Sequence, residues 1–275
     1  MPFTFTSLAA LSGLATLTSI TVGILAWERR QMRGARLLAW LMLGVTIWAA
    51  GSMLELASST LSDKIFWSKL EYVGTLSTPV LFFLLAADYN PLGQRLRWRY
   101  IAALFLIPLI NLALAFSNEA HGLIWPGYQA SPSGHNLLIF QHGPAFWLGV
   151  AAYSYLMMLL GSLLLLRALH FYPPHYRGQS LILLLSATFP WVGNLLYLSG
   201  NIPLQGLDPT PLCFALTGIV FAIDLLYLRM LFMLPIARGN AFNAMDDGIV
   251  VIDRDKIILD INPAAASLFG KPGAV

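Results

Sequence analysis

Five polar side chains lie inside long apolar stretches of the sequence, where such groups are rare. They are Glu55, Glu71, Asn111, Asn194 and Tyr197. Ionisable and amide groups are costly in apolar surroundings, so they usually face the interior of a helix bundle and often mark a ligand or ion site. Carboxylates, amides and a phenol can bind a small molecule by charge and by hydrogen bonds. We therefore predict that these five side chains contribute to a ligand-binding site.

Two further residues extend this predicted site. Trp67 precedes Glu71 by one helical turn and therefore shares its helix face. Asp208 stands just before a helix-start pattern, Thr210 followed by Pro211, at the mouth of the last apolar segment. Trp67 and Asp208 complete the set of candidate ligand-binding residues.

Structural roles compete with this interpretation. The two glutamates could pair with Lys64 or Lys69 and serve only to hold helices together, as interhelical polar contacts do. Asn111 alone is more typical of a packing contact, and Asp208 is also explained by a helix start. The sequence leaves these alternatives open.

Catalytic, metal and cofactor motifs are missing from the sequence. His121, His135 and His142 share one loop, but their spacings of 14 and 7 residues match no compact metal motif, so we expect surface histidines. No Gly-rich nucleotide loop, nucleophile elbow or metalloprotease helix is present. The segment Leu212–Leu231 has no lysine for a retinal Schiff base. We predict no catalytic residue, no metal and no cofactor here.

The composition identifies lipid as the solvent of this chain. Of its 275 residues, 57% are hydrophobic and 11% are charged, against roughly 25% charged in soluble domains. The net charge of +3 comes from short basic clusters between apolar segments, which is typical of cytoplasmic loops and not of a nucleic-acid surface. We predict a bilayer as partner and no nucleic acid.

Seven apolar segments are long enough to span a bilayer as helices. They run approximately over Leu8–Trp27, Leu37–Ala57, Ile65–Ala87, Tyr100–Phe116, Phe146–Leu166, Ser180–Leu198 and Leu212–Leu231. The predicted fold class is therefore an all-α membrane protein, a seven-transmembrane helix bundle.

The distribution of basic residues predicts how the bundle is oriented. The connections after the first, third and fifth segments carry nine arginines, whereas those after the second, fourth and sixth carry only Lys64. Because basic loops stay in the cytoplasm, we expect the N-terminus outside and the C-terminus inside. Glu55, Glu71 and the other ligand-site candidates then fall in the outer half.

The longest connection, Ser117–Ala145, lies on the predicted outer side. Two apolar stretches in it, Leu123–Trp125 and Leu137–Phe140, flank a segment rich in Gly, Pro and Ser. This pattern predicts a β-hairpin that covers the outer end of the bundle, either as a functional lid or as a plug.

The composition changes after the seventh segment. Strand patterns at 248–253 and 256–261 precede Asn262-Pro263, a helix-start pair, which together predict the truncated beginning of a cytoplasmic α+β domain. The predicted domains are 1–234 (seven-transmembrane sensor), 235–247 (helical connector) and 248–275 (N-terminal fragment of a PAS domain).

Three residues near this transition are candidates for signal relay. Asp224 lies in the inner half of the seventh segment, Arg229 lies about one turn further on, and Pro235 ends or kinks the helix. A simple Asp–Arg pair near the inner interface is the alternative for the first two residues.

Several stretches together make the chain similar to a known family. They are Phe66-Trp67 with Leu70-Glu71-Tyr72-Val73-Gly74 and Pro79, Gly143-Pro-Ala-Phe-Trp147, Tyr153-Ser-Tyr155, Asp208-Pro-Thr-Pro211, Leu234-Pro-Ile-Ala-Arg238, Asp247-Gly-Ile-Val-Val-Ile-Asp253 and Asp260-Ile-Asn-Pro-Ala264. The chain resembles the N-terminal seven-helix sensor region of bacterial and archaeal histidine kinases, followed by the start of a PAS domain.

The resemblance implies a receptor in the inner membrane of a prokaryote. Its seventh helix would pass a stimulus to the PAS domain of a two-component histidine kinase, with an unknown small-molecule ligand, an unknown PAS ligand and a homodimer formed through the parent protein. The same sensor region also precedes diguanylate cyclases, which is one alternative.

Two other functions remain open at this level. An ion-coupled transporter could use Glu55, Glu71 and Asp224 as relay sites, although no repeat is found. Alternatively the bundle is an anchor that dimerises through the small residues of the first segment, Gly13 and Gly23 among them, while the PAS part senses.

Overall fold

The computed structural model describes residues 3–4, 6–89, 97–133, 136–171, 177–200, 204–224, 245–252 and 258–268. The chain divides into two compact units, Met1–Leu228 and Arg229–Val275. Each unit is described by itself.

Helices dominate the described part of the first unit. Its α-helices are α1 (Ser7–Glu28), α2 (Ala35–Ala57), α3 (Leu61–Tyr89), α4 (Trp98–Leu104), α5 (Leu106–Phe116), α6 (Ala152–Phe171), α7 (Arg177–Ser186), α8 (Thr188–Ser199) and α9 (Thr210–Ile223). A π-helical segment, Phe146–Ala151, leads into α6. We call the end of the bundle where α2 meets α3 the hairpin end, and the end where α1 meets α2 the far end.

Six helical stretches in the described residues are long and apolar enough to cross a membrane. They are Ser7–Glu28, Ala35–Ala57, Leu61–Tyr89, Trp98–Phe116, Phe146–Leu169 and Leu181–Ser199. Each agrees with a predicted span, and large apolar side chains such as Leu17 (65% exposed) cover their outer faces, as lipid contact requires. The chain is therefore a multi-pass membrane protein.

The seventh predicted span is described only in part. The helix α9 is apolar but covers 14 residues, and the remainder of Leu212–Leu231 lies outside the described residues. So do Arg229, Pro235 and most of the predicted connector 235–247.

Glycines let α2 and α3 approach closely. A Cβ atom on Gly74 would lie 2.3 Å from the backbone oxygen of Gly44, and one on Gly51 would lie 3.0 Å from the Cα of Glu71. Neither position has room for a larger side chain. The close crossing holds the Glu71 segment of α3 directly against α2.

Prolines break two of the spans, and hydroxyl groups from neighbouring helices satisfy the freed carbonyls. A proline removes the hydrogen bond to the carbonyl four residues earlier. Pro108 does so at Leu104, whose oxygen accepts from Tyr153 Oη at 2.6 Å. Pro190 does so at Ser186, whose oxygen accepts from Thr217 Oγ1 at 2.7 Å. The second bond ties α7 to α9.

The long connection before α6 forms the predicted hairpin, with one correction. Strand β1 (Tyr128–Ala130) pairs antiparallel with β2 (Leu138–Phe140). The sequence predicted Leu123–Trp125 as the first arm of the hairpin. This prediction was wrong, because β1 begins only at Tyr128. Ile124 and Trp125 are buried outside the strand instead, and the Oδ1 of Asn118 accepts their amide hydrogens, whereas Leu123 is exposed.

Lys64 fastens the hairpin to the helix bundle. Its Nζ donates to Asn136 O at 2.7 Å and to Glu55 O at 2.8 Å. The Nδ2 of Asn136 in turn donates to Leu56 O and Ser58 O, both at 2.8 Å. The hairpin is therefore held over the end of α2 by polar bonds.

The small residues of α1 pack inside the chain. A Cβ on Gly13 would meet Met53, and one on Gly23 would meet Met42, both on α2. Ser19 is fully buried and shares a hydrogen bond with Thr46 at 2.9 Å. This face of α1 therefore packs on α2 within the chain, and the dimer contact suggested for it stays a hypothesis.

Acidic residues at the far end have close partners. The hydroxyl of Tyr89, at the end of α3, donates to Asp224 Oδ2 at 2.9 Å, and Asp224 is 1% exposed. The neighbouring Asp88 accepts from the Gly34 amide at 2.9 Å and lies 3.6 Å from Arg33 Nε. Asp224 is thus buried against α3 and does not reach an aqueous surface.

The second unit contains two strands and a short helix. Strand β3 (Val250–Ile252) pairs antiparallel with β4 (Ile258–Ile261), and α10 (Pro263–Leu268) follows. Asn262 caps this helix as predicted, because its Oδ1 accepts from Ala265 N at 2.9 Å.

Candidate ligand-binding site

A cavity of about 110 Å³ lies within the first unit near its hairpin end. Its wall draws on α2, α3, the start of α6, α8 and the start of α9, and on the hairpin. Because one water molecule needs roughly 10–15 Å³ of such space, the cavity has room for several waters or for one small molecule.

Five of the seven candidate ligand-binding residues line this cavity. They are Glu55, Glu71, Asn194, Tyr197 and Asp208. They come from four regions of the chain, so the fold brings together side chains that the sequence could assign only to separate helices. Their role in binding remains a prediction.

Among the described residues, Glu55 is the one carboxylate of the cavity wall with a cationic partner. Its Oε1 lies 3.2 Å from Lys64 Nζ, and both side chains are largely buried. This is one of the two pairings that the sequence left open. The other lysine, Lys69, instead bonds to Glu119 at 2.6 Å near the surface.

Glu71 lines the cavity without such a partner. No Lys or Arg of the described chain lies within ion-pair distance of its carboxylate. Its position is fixed by Gly51, whose missing side chain lets the backbone of α3 approach α2. An ionisable group is thus held beside empty space by backbone packing rather than by an ion pair.

Asp208 belongs to a chain of hydrogen bonds along the cavity wall. Its Oδ1 accepts from the amide of Thr210 at 2.9 Å and from the Thr210 hydroxyl. Asn194 Nδ2 donates to Thr210 Oγ1 at 3.3 Å, and Tyr155 Oη donates to Asn194 Oδ1 at 2.8 Å. Burial raises the pKa of Asp208 to about 6, although the bonds from Thr210 lower it. The network connects α6, α8 and α9.

His142 is a cavity residue, which corrects the expectation of a surface histidine. Its ring stacks on Phe146 with centroids 3.8 Å apart, and its Nε2 lies 3.3 Å from Tyr197 Oη. Burial lowers the pKa of His142 to about 4, so the ring is neutral at pH 7. A loop histidine has no periodicity that could have revealed this position.

Trp67 and Asn111 lie outside the cavity. Trp67 packs edge-on against Phe66, with ring centroids 5.2 Å apart. Asn111 is 4% exposed, donates to Ile107 O at 2.9 Å, and fits against Gly149, where a Cβ would lie 2.2 Å from its Oδ1. Asn111 thus serves the packing of α5 on the π-helical segment, the alternative that the sequence had left open.

Aromatic rings form much of the remaining wall, and the sequence did not single them out as site residues. Among them are Trp48, Tyr72, Trp125, Tyr155, Trp191 and Phe214. They come from α2, α3, the segment before β1, α6, α8 and α9. Aromatic residues are common in any apolar helix, so only their convergence in three dimensions distinguishes them.

A metal site has no support in the described part of the chain. No group of three or more His, Cys, Asp or Glu side chains there is placed to hold a metal ion. His121 bonds locally to Ser117 at 3.1 Å, while His135 lies outside the described residues.

Comparison with known families identifies the first unit. The family described as the N-terminal 7TM region of histidine kinase matches residues 11–235. The chain belongs to this family. A PAS domain matches residues 240–275 of this histidine kinase 7TM protein, as its sequence had indicated. A comparison with curated proteins gives no match.

The two matches fix the general role of the chain. A histidine kinase 7TM region followed by a PAS domain is a signalling sensor module in a membrane. The cavity therefore lies in the sensor region of this 7TM protein, and Asp208 and Thr210 place the start of α9 in its wall.

Proposed function

We propose that this chain is the ligand-binding sensor of a two-component histidine kinase. A small molecule enters the cavity among Glu55, Glu71, Asn194, Tyr197 and Asp208, and the resulting shift of α9 reaches the PAS domain. The observation that carries the proposal is the cavity itself, whose wall includes the first residues of α9, the last described helix before the PAS match in the sequence.

The contacts of α9 support its role as the moving element. At one end Thr210 and Phe214 line the cavity. Further along, Phe221 packs on Tyr89 with ring centroids 6.2 Å apart, and Asp224 follows. A ligand can shift such a helix only by its different affinity for two arrangements. Contacts with Thr210 and Phe214 supply that difference.

The proposal includes an orientation and a location. The N-terminus lies outside the cell and the C-terminus in the cytoplasm, which the excess of nine arginines over one lysine supports. The protein resides in the inner membrane of a prokaryote and acts as a homodimer through the parent protein. The relay through Asp224, Arg229 and Pro235 and the nature of any PAS ligand are part of the same proposal.

The class of output is tested with the protein at its native length in lipid nanodiscs. Labelled ATP is expected to yield a phosphohistidine, and labelled GTP is expected to remain unchanged. Formation of cyclic diguanylate from GTP would instead favour the cyclase alternative.

The role of the cavity is tested by filling it. Ala151 is 8% exposed and lines the cavity, so Ala151→Trp occupies the ligand space. Leu148 lies on the same π-helical segment but is 77% exposed, so Leu148→Trp is the matched control. We expect the first variant to fix the kinase output at one level and the second to retain wild-type output. Equal output from both would contradict the proposal.

A further inference from the structure

Carboxyl groups line the cavity wall, whereas basic side chains do not. Glu55, Glu71 and Asp208 belong to the wall, and no Lys or Arg of the described residues does. Lys64 compensates Glu55 from outside the wall, whereas Glu71 and Asp208 have no ion-pair partner in the described chain. Within low-dielectric walls, charges of one sign strongly favour a ligand of the opposite sign.

Aromatic rings surround these carboxylates. Trp48, Tyr72, Trp125 and Trp191 all contribute to the wall. The faces of such rings attract cations, most strongly when water is excluded. An aromatic wall beside carboxylates suits a cation whose charge is surrounded by apolar groups.

Two polar atoms in this wall lack a well-formed hydrogen bond. Trp48 is 3% exposed and Tyr72 is 7% exposed, and neither Trp48 Nε1 nor Tyr72 Oη makes a well-formed hydrogen bond in the described part of the chain, although Trp48 lies beside the Glu71 carboxyl and Tyr72 beside Trp125. Buried polar groups are nearly always bonded. A hydroxyl group of a bound molecule can form a hydrogen bond with either atom.

We infer that the cavity binds a compact organic cation, a substituted ammonium group enclosed by carboxylates and aromatic rings. The inference rests on the proposed function, since it takes the cavity as the ligand site of the sensor. An anion would meet Glu71 and Asp208 at the wall. A hydrated metal ion would leave the aromatic faces unused, and the described residues offer no cluster of three metal-binding side chains.

The test uses a pair of probes that differ only in charge. The chain in lipid nanodiscs is titrated with choline and with its neutral isostere, in which carbon replaces the quaternary nitrogen. Binding is measured by calorimetry and by the fluorescence of the wall tryptophans. We expect choline to bind at least about tenfold more tightly than the isostere, since each tenfold step corresponds to about 1.4 kcal/mol.

Matched glutamate variants localise the effect. Glu71→Gln keeps the shape of the side chain but removes its charge, and it should erase the preference for choline. Glu119→Gln removes an exposed carboxylate that bonds to Lys69 outside the cavity, and it should bind as wild type. Asp208→Asn provides a second test if Glu71→Gln fails to fold.

The outcomes separate this inference from the proposed function. Equal affinity for choline and the isostere, or binding of neither, overturns the cation inference. Competition of Mg²⁺ or Zn²⁺ for the same site also overturns it. A kinase output that responds to Ala151→Trp but not to Leu148→Trp would still support the sensor function in each case.

Discussion

The helices α3 and α9 meet differently at the two ends of the bundle. At the hairpin end Glu71 of α3 and Thr210 of α9 both line the cavity. At the far end Tyr89 of α3 bonds directly to Asp224, which follows α9. A direct hydrogen bond joins the pair at one end, and residues of both helices line a cavity at the other. A small molecule at the hairpin end can therefore change the geometry of a pair that is fixed at its other end.

The largest expected loss of stability comes from removing Lys64, the cationic partner of Glu55, so that no carboxylate of the cavity has an ion pair among the described residues. Lys64→Met leaves Glu55 buried without its cation and removes the bond to Asn136 that fastens the hairpin. Breaking a buried ion pair from one side costs about 3–5 kcal/mol. Thermal unfolding in detergent micelles measures the loss.

Lys69→Met is the matched control for this change. Its ion pair with Glu119 is near the surface, and such pairs contribute at most about 1 kcal/mol. Equal loss of stability in the two lysine variants would show that the buried Glu55 pair contributes no more to stability than the surface pair.

A smaller effect is expected from opening the far end. Tyr89→Phe removes the donor to Asp224 Oδ2, whose other oxygen already lacks a partner among the described residues. An unsatisfied buried acceptor costs about 1–3 kcal/mol. The variant should unfold at lower temperature and should also change the basal kinase output.

An unchanged kinase output in Tyr89→Phe would contradict the proposed coupling between the two ends of the bundle. Tyr153→Phe removes a comparable hydroxyl bond, to Leu104 O, that does not involve α9. It should lower stability similarly while leaving the output unchanged. A matching change of output in both variants would refute a specific role for Tyr89.

A substitution at the cavity is expected to raise stability rather than lower it. Glu71→Gln removes a carboxylate that has no cation within ion-pair distance in the described chain. Functional sites often hold such unfavourable groups, and neutralising them raises stability by about 0.5–2 kcal/mol. A clear loss of stability would mean that Glu71 has a structural partner, and would remove the contrast between the two ends.

The smallest expected effects concern pH, and two groups act in opposite directions. The folded-state pKa of Asp208 is raised from 3.8 to about 6, so its contribution to stability is fully present below 3.8 and is lost as pH rises through about 6. The folded-state pKa of His142 is lowered from 6.5 to about 4, so its contribution is fully present above 6.5 and is lost as pH falls through about 4.

Single variants separate these two groups. Between pH 4 and 6, Asp208→Asn should make stability fall more steeply on acidification, because the opposing contribution of Asp208 is removed while that of His142 remains. His142→Gln should change the slope in the opposite direction. Unfolding temperatures measured across this range would refute the assignment if neither slope changed.

Sequence reasoning found the spans because the bilayer leaves few alternatives. A backbone in lipid must form helices of nearly fixed length, and all six fully described spans agree with the apolar pattern. The pattern did not reveal the breaks at Phe105 and Ala187, although Pro108 and Pro190 follow each break by three residues. Local proline chemistry was the available signal.

The site was predicted less completely than the fold. Periodicity gives the face of a helix but not the neighbour that covers it. Trp67 and Glu71 therefore had the same pattern, yet only Glu71 reaches the cavity. His142 and Trp125 come from a connection whose path depends on Asn118 and Lys64, and no local rule predicts such tertiary contacts.

The hydroxyl of Thr217 lies within hydrogen-bonding distance of two carbonyl oxygens on different helices. It is 2.7 Å from Ser186 O on α7 and 3.0 Å from Cys213 O on its own helix. If α9 slides along α7, the Thr217 hydroxyl can direct its hydrogen bond entirely to the Cys213 oxygen, so the donor stays satisfied while Ser186 O loses its partner. In lipid, where unpaired polar groups are expensive, a shared donor means that such a movement leaves one polar group unpaired instead of two.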